Sequence, residues 1–182
     1  DGDGLKDGIE VMGWEILVVN KGTQRVRVTS DPGTWDTDED GLSDYREFSE
    51  ICDQGGNASN ADTDGDGLGD YTEAVHGFEW DGVAYSTSPC MFDTDNDGLE
   101  DGEEVIEGQD LYVTHANNSD TDDDGLDDGS EVLHIPRPWQ DATNPLVNDT
   151  DDDGMLDGWE MQVRSLEDNT NSHSPWVVAE PW

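Results

Sequence analysis

The segment Asp36-Thr-Asp-Glu-Asp-Gly-Leu-Ser-Asp-Tyr-Arg-Glu47 places carboxylates at positions 1, 3, 5, 9 and 12, a glycine at position 6 and an apolar residue at position 7. The same pattern recurs on both sides of it. Complete copies begin at Asp36, Asp62, Asp93, Asp120 and Asp149, and a copy lacking its first two residues supplies Asp1, Asp3, Leu5, Asp7 and Glu10. A hard divalent cation takes about six to eight oxygens, which a short chain provides only by turning sharply around the ion. In the quoted copy the side chains of Asp36, Asp38 and Asp40, the Leu42 carbonyl and Glu47 stand where an EF-hand loop carries its ligands, and Gly41 permits the turn. All the donors are oxygens, which selects calcium over zinc or copper.

The other copies offer the equivalent sets. They are Asp62, Asp64, Asp66, Leu68 and Glu73; Asp93, Asp95, Asp97, Leu99 and Glu104; Asp120, Asp122, Asp124, Leu126 and Glu131; and Asp149, Asp151, Asp153, Met155 and Glu160. The copies lie about thirty residues apart, a spacing typical of tandem modules. They divide the chain at 1–35, 36–61, 62–92, 93–119, 120–148 and 149–182, the last including a C-terminal extension. Because the first copy lacks its leading Asp-Thr, the chain reads as a piece of a longer polypeptide.

Composition agrees with metal as the organiser of shape. There are 47 acidic residues against 7 basic ones, a net charge of −40. Charge of that size opposes compaction until counterions offset it, and it argues against nucleic acid as a partner. Phase-locked aspartates distinguish the chain from merely halophilic or disordered acidic sequence. Only 31% of residues are apolar, so small clusters between ions are expected in place of one large core. The longest apolar runs, such as Ile16 to Val19, fall far short of a membrane span.

Local patterns complete the architecture. Ser30-Asp31-Pro32-Gly33, Ser88-Pro89 and Asn144-Pro145 are turn-formers ahead of the loops, so no helix enters the metal loop as it would in an EF-hand. After the loops, Asp44, Asp70 and Asp101 read as N-caps of short helices, with Glu47, Glu73 and Glu104 at the third helical position. Phe48, Val105, Ile106, Val132 and Leu133 are expected to pack against the position-7 side chains. Trp14 to Val19 with Gln24 to Thr29, and Phe78 to Trp80 with Val83 to Tyr85, read as hairpins around Lys21-Gly22 and Asp81-Gly82. The predicted fold is thus a mostly irregular calcium-stabilised array of EF-hand-like Asp-rich loops, each followed by a short helix, with small β-hairpin insertions.

Cys52 and Cys90 are an even pair in a chain of extracellular character, and a disulfide between them is expected to contribute about 4 kcal/mol by constraining the unfolded chain. Asn57, Asn117 and Asn148 begin N-glycosylation acceptor triplets. No zinc-protease, nucleophile-elbow or phosphate-loop motif occurs, and the acidic pairs are those committed to metal. His76, His115, His134 and His173 read as surface or packing residues. Trp14, Trp35, Trp80, Trp139, Trp159, Trp176 and Trp182 read as filling for small inter-repeat cores.

On these residues the chain resembles the thrombospondin type 3 and related bacterial calcium repeats. Its first part, Asp1 to Trp14, also resembles the calcium-binding segment of anthrax protective antigen and the binary-toxin translocation components. The toxin resemblance implies that two ions share one loop, the second being completed downstream. It assigns to that ion Asp1, Asp3, Glu10, the side chain of Asp31, the Thr34 carbonyl and Asp44. Comparable junctions would use Ser88 with Asp101 and Asn144 with Asp157. Position-9 aspartates Asp44, Asp70, Asp101, Asp128 and Asp157 would then couple neighbouring repeats, whereas an EF-hand habit would leave position 9 acting through water. His115 stands where Asp, Ser or Asn is expected, so the junction before Asp120 is expected to hold one ion.

The functional expectation is a secreted structural protein without turnover chemistry. It would be a rigid spacer, adhesin stalk or filament subunit that binds calcium, copies of itself, or other cell-surface proteins and glycans. A calcium domain of a secreted toxin component or hydrolase is the alternative.

Overall fold

A computed structural model describes residues 1–106, 111–133 and 143–161. Regular structure is sparse. In chain order the elements are α1 (Asp7–Met12), β1 (Trp14–Val19), β2 (Thr23–Val28), α2 (Asp44–Ser49), a π-helical turn (Thr72–His76), β3 (Phe78–Trp80), β4 (Val83–Tyr85), α3 (Asp101–Val105) and α4 (Asp128–Val132). A further helical turn covers 157–161. Both expected hairpins form. Strand β1 pairs antiparallel with β2 from Trp14 opposite Val28 to Val19 opposite Thr23, so the second strand lies one residue earlier than the sequence suggested. Strand β3 pairs with β4 across the Asp81-Gly82 turn.

The larger hairpin carries the apolar core. Alternation along β1 turns Trp14, Ile16 and Val18 inward, where they meet Leu5, Val28 and Ala58, with Ile9, Val26 and Phe48 packed against them. The Trp14 ring meets Phe48 edge to face at 5.3 Å, and its Nε1 donates to the Gly56 carbonyl at 3.2 Å. Core and hairpin therefore tie the first two repeats together. The other edge of β1 meets the segment leading into the fourth repeat: Val19 N donates to Cys90 O at 2.9 Å and Phe92 N to Val19 O at 3.0 Å. Cys52 and Cys90 form a disulfide beside that contact, with Cα atoms 6.3 Å apart.

Several local expectations need correction. Position-9 aspartates are not the helix caps. Asp44 is the first helical residue, and the cap is Ser43, whose Oγ accepts from Arg46 N at 3.2 Å. Asp101 likewise follows its cap Glu100, and Asp70 is already helical. Each carboxylate is instead turned back into its own loop. The miniature cores are also smaller than expected: Leu42 is fully buried, and Leu68 and Leu99 nearly so, but Ile106 and Leu133 are exposed. Among the tryptophans Trp14 is buried, whereas Trp35 and Trp159 are more than half exposed and fill no core. Trp139, Trp176, Trp182, His134 and His173 lie outside the described residues.

Candidate metal centres

Each loop is wound by its own backbone amides. In the copy from Asp36 the position-1 carboxylate accepts from Glu39 N at 2.7 Å and Gly41 N at 2.9 Å, while Asp40 Oδ1 accepts from Leu42 N at 2.7 Å. Two residues of the turn are left-handed. Gly41 has φ +104°, and the position-4 residues Glu39, Asn96, Asp123 and Asp152 lie between +57° and +64°. Asn and Asp tolerate that region through local hydrogen bonding, which accounts for most of the residue types found there. The loop closes at its base when the position-9 amide donates to the residue just before position 1. That bond is seen from Asp44 to Trp35, Asp70 to Ala61, Asp101 to Phe92, Asp128 to Ser119 and Asp157 to Asn148, at 3.0–3.2 Å.

With the amides wound onto these carboxylates, the acidic side chains of a loop converge. Ligand atoms of Asp36, Asp38 and Asp40, of Asp62, Asp64 and Asp66, and of Asp93, Asp95 and Asp97 each lie within 4.8 Å of one another. Two further groups cross from one repeat to the next: Asp66 and Glu73 with Asp101, and Asp97 and Glu104 with Asp128. Glu73, Asp101, Glu104 and Asp128 are completely buried. Oδ2 of Asp38, Asp40, Asp64, Asp66, Asp95 and Asp122, both oxygens of Glu10 and Glu47, and Oε2 of Glu73 and Glu104 are buried without a hydrogen-bond donor.

Such an arrangement is costly unless a cation completes it. Burial, and then the facing Asp38 and Asp40, push Glu47 up to about 10. Glu104 rises to about 10 through burial followed by Asp95 and Asp97, and Glu73 to about 9 through burial followed by Asp64 and Asp66. Glu10 is also raised, by burial first and then by Asp3 and Asp44. Orphaned, crowded, all-oxygen donors fit calcium, and nothing in the donor set favours a softer metal.

The structure brings position 9 of one repeat to positions 5 and 12 of the repeat before it. The backbone supports the same junction. The position-10 amide donates to the preceding position-5 carboxylate, from Tyr45 to Asp3 at 2.8 Å, from Gly129 to Asp97 at 2.9 Å and from Gly158 to Asp124 at 2.9 Å. Asp31 and Asn144 each spend a side-chain oxygen on the amide two residues on, and Ser88 closes its turn through its carbonyl to Met91 N. At the junction with His115, the imidazole Nδ1 replaces that oxygen and accepts from Asn117 N at 3.2 Å, the ring stacking on Tyr85 at 4.1 Å. The carboxylates Asp97, Glu104 and Asp128 still come together there, as they do at the proline-containing junction before it. Among the acceptor triplets, Asn117 and Asn148 are exposed, and Asn57 is half-buried with its side-chain oxygen accepting from Ser59 N.

A family model for the bacterial TSP3 repeat matches residues 1–11, 36–48, 62–77, 93–109 and 149–163. The chain carries bacterial TSP3 repeats. No curated protein and no solved structure matches it. The TSP3 repeats and their clustered carboxylates mark it as a calcium-binding repeat protein. The copy from Asp120 lies between matched segments, yet Asp120 accepts from Gly125 N and Asp124 from Leu126 N as in the matched TSP3 loops.

Residue-by-residue reading of the sequence missed the threonines. Position 2 is Thr in every complete repeat, and its hydroxyl donates to the position-9 carboxylate of its own loop at 2.6–2.7 Å. Thr87 and Thr114 donate likewise to Glu73 and Glu104 at 3.0 Å. The recurrence of Asp-Thr-Asp was the available signal, and only the fold shows what the hydroxyl meets.

Proposed function

We propose that the chain is an extracellular structural protein whose shape is set by calcium held within and between its TSP3 repeats. The observation that carries this reading is the buried carboxylate group drawn from two repeats, Asp66 and Glu73 with Asp101, and its successor Asp97 and Glu104 with Asp128. Bound there, calcium would supply the positive charge that lets neighbouring acidic loops approach. Asp36, Asp38, Asp40 and Glu47, with the Leu42 carbonyl, would hold the ion within a loop. Their equivalents would do so in the other five repeats, divided as the sequence suggested.

The disulfide agrees with an oxidising environment, and among the described residues no helix is long and apolar enough to cross a membrane. TSP3 repeats are structural modules, and the role that follows is a spacer or stalk, stiffened because each junction shares ligands. Small-angle scattering with calcium and with excess chelator tests it. An extended, rigid particle that shortens and broadens its dimensions on chelation is expected; identical profiles in the two conditions overturn the reading.

A further inference from the structure

Calcium sharing between repeats makes the orientation of the position-9 carboxylate decisive, and that orientation is set by a hydroxyl outside the ligand set. In the repeat starting at Asp93, Asp101 Oδ1 accepts from Thr94 N at 2.7 Å and Oδ2 from Thr94 Oγ1 at 2.6 Å. The same hydroxyl oxygen accepts from Ser88 N at 3.0 Å. Its single proton is therefore committed to Asp101, and the carboxylate plane is held at two points. Held in this way, Asp101 meets Asp66 and Glu73 of the preceding repeat. Glu73 is completely buried, with Oε2 lacking a donor, and Oδ2 of the nearly buried Asp66 is likewise orphaned.

We propose that Thr94 is a positioning residue for the metal site of the repeat before its own. The inference rests on the shared-calcium reading and adds a direction to it: each repeat's position-2 threonine governs the ion upstream. Thr121 repeats the device one junction on. It holds Asp128 through bonds of 2.9 and 2.6 Å, and Asp128 faces Asp97 and Glu104. Outer-shell donors of this kind typically change metal affinity about 10–100-fold when removed.

The test is a calcium titration of the full chain followed by amide nuclear magnetic resonance, comparing the unsubstituted protein with Thr94→Val and Thr94→Ser. Valine keeps the shape and the backbone amide but loses the hydroxyl. Thr94→Val is expected to weaken the calcium response of 62–73 at least about tenfold while that of 93–99 stays within about twofold, and Thr94→Ser is expected to behave as the unsubstituted chain. Should Thr94→Val lose its dispersed spectrum, Thr121→Val carries the same comparison, and the weakened response must then fall on 93–104. The proposal is overturned if the valine variants bind as the unsubstituted chain does, if each weakens its own loop first, or if serine fails to rescue. If 62–73 of the unsubstituted chain does not respond to calcium, the shared-calcium reading itself falls, which separates the two failures.

Discussion

Residues 1–92 and residues 93–161 carry the same repeat but are held together differently. In the first region the β1–β2 hairpin lies across several repeats: Trp14 reaches Gly56, Asn20 reaches the Asp64 carbonyl, Ser59 reaches Thr29, and the disulfide closes the far side. A cluster of buried apolar residues backs these bonds. Among the described residues of the second region no comparable cluster occurs. Its junctions are made by facing carboxylates and by the amides of Gly129 and Gly158, which lie directly on the preceding loop. Apolar contact of this kind needs no ion, whereas the other junctions bring like-charged side chains together, which is costly unless their charge is offset.

Chelation should expose that difference most strongly. With excess chelator, hydrogen exchange is expected to lose nearly all protection in 93–133 while the amides of Trp14–Val19 keep a substantial part of theirs. Uniform loss, or earlier loss in the hairpin, would break the distinction.

A pH series in chelator sharpens it. Burial and the facing aspartates push Glu47 and Glu104 from an ordinary value of 4.5 up to about 10, so the metal-free fold binds more protons than the unfolded chain between those limits. Stability without calcium is therefore greatest below the ordinary carboxylate range and is lost as pH rises through it toward the folded values. Thermal melting in chelator should occur at a higher temperature at pH 5.5 than at pH 8.5. With calcium present, protons compete for the same oxygens, and acidification should weaken binding. A metal-free melting temperature that rises with pH contradicts the electrostatic account.

The smallest expected effect concerns the bare junction alone. A Cβ on Gly129 would lie 2.3 Å from the Asp97 carbonyl oxygen, whereas one on Gly8 would meet nothing within 4 Å. Gly129→Ala should cost about 1–3 kcal/mol by calcium-loaded thermal unfolding, through overpacking against backbone that cannot rotate away. Gly8→Ala should change little, and equal effects of the two substitutions would remove the close junction from the explanation.

Much of this protein was legible in residue order because its organising interactions are local. Asp36, Asp38 and Asp40 fall within one turn, so their spacing alone reports convergence, and the two hairpins follow from alternation around Lys21-Gly22 and Asp81-Gly82. The helix caps were misread for an equally local reason. An Asp ahead of a helix resembles a cap, but Asp44 has its oxygens taken by Thr37, which leaves the capping role to Ser43. Trp35 and Trp159 were misplaced because aromatic identity indicates a preference for burial without specifying a partner.

Sequence by itself determined the number of acidic loops, the chemistry of their donors and the excess of negative charge, since these depend on residue types and spacings along one strand of chain. Tertiary structure decided which loops face each other, that position 9 faces the preceding repeat, and that among the described residues the apolar cluster lies in the first half. Those outcomes depend on distances between segments far apart in sequence, and a repeating pattern that reads the same at every copy carries no information about which copies the hairpin will reach.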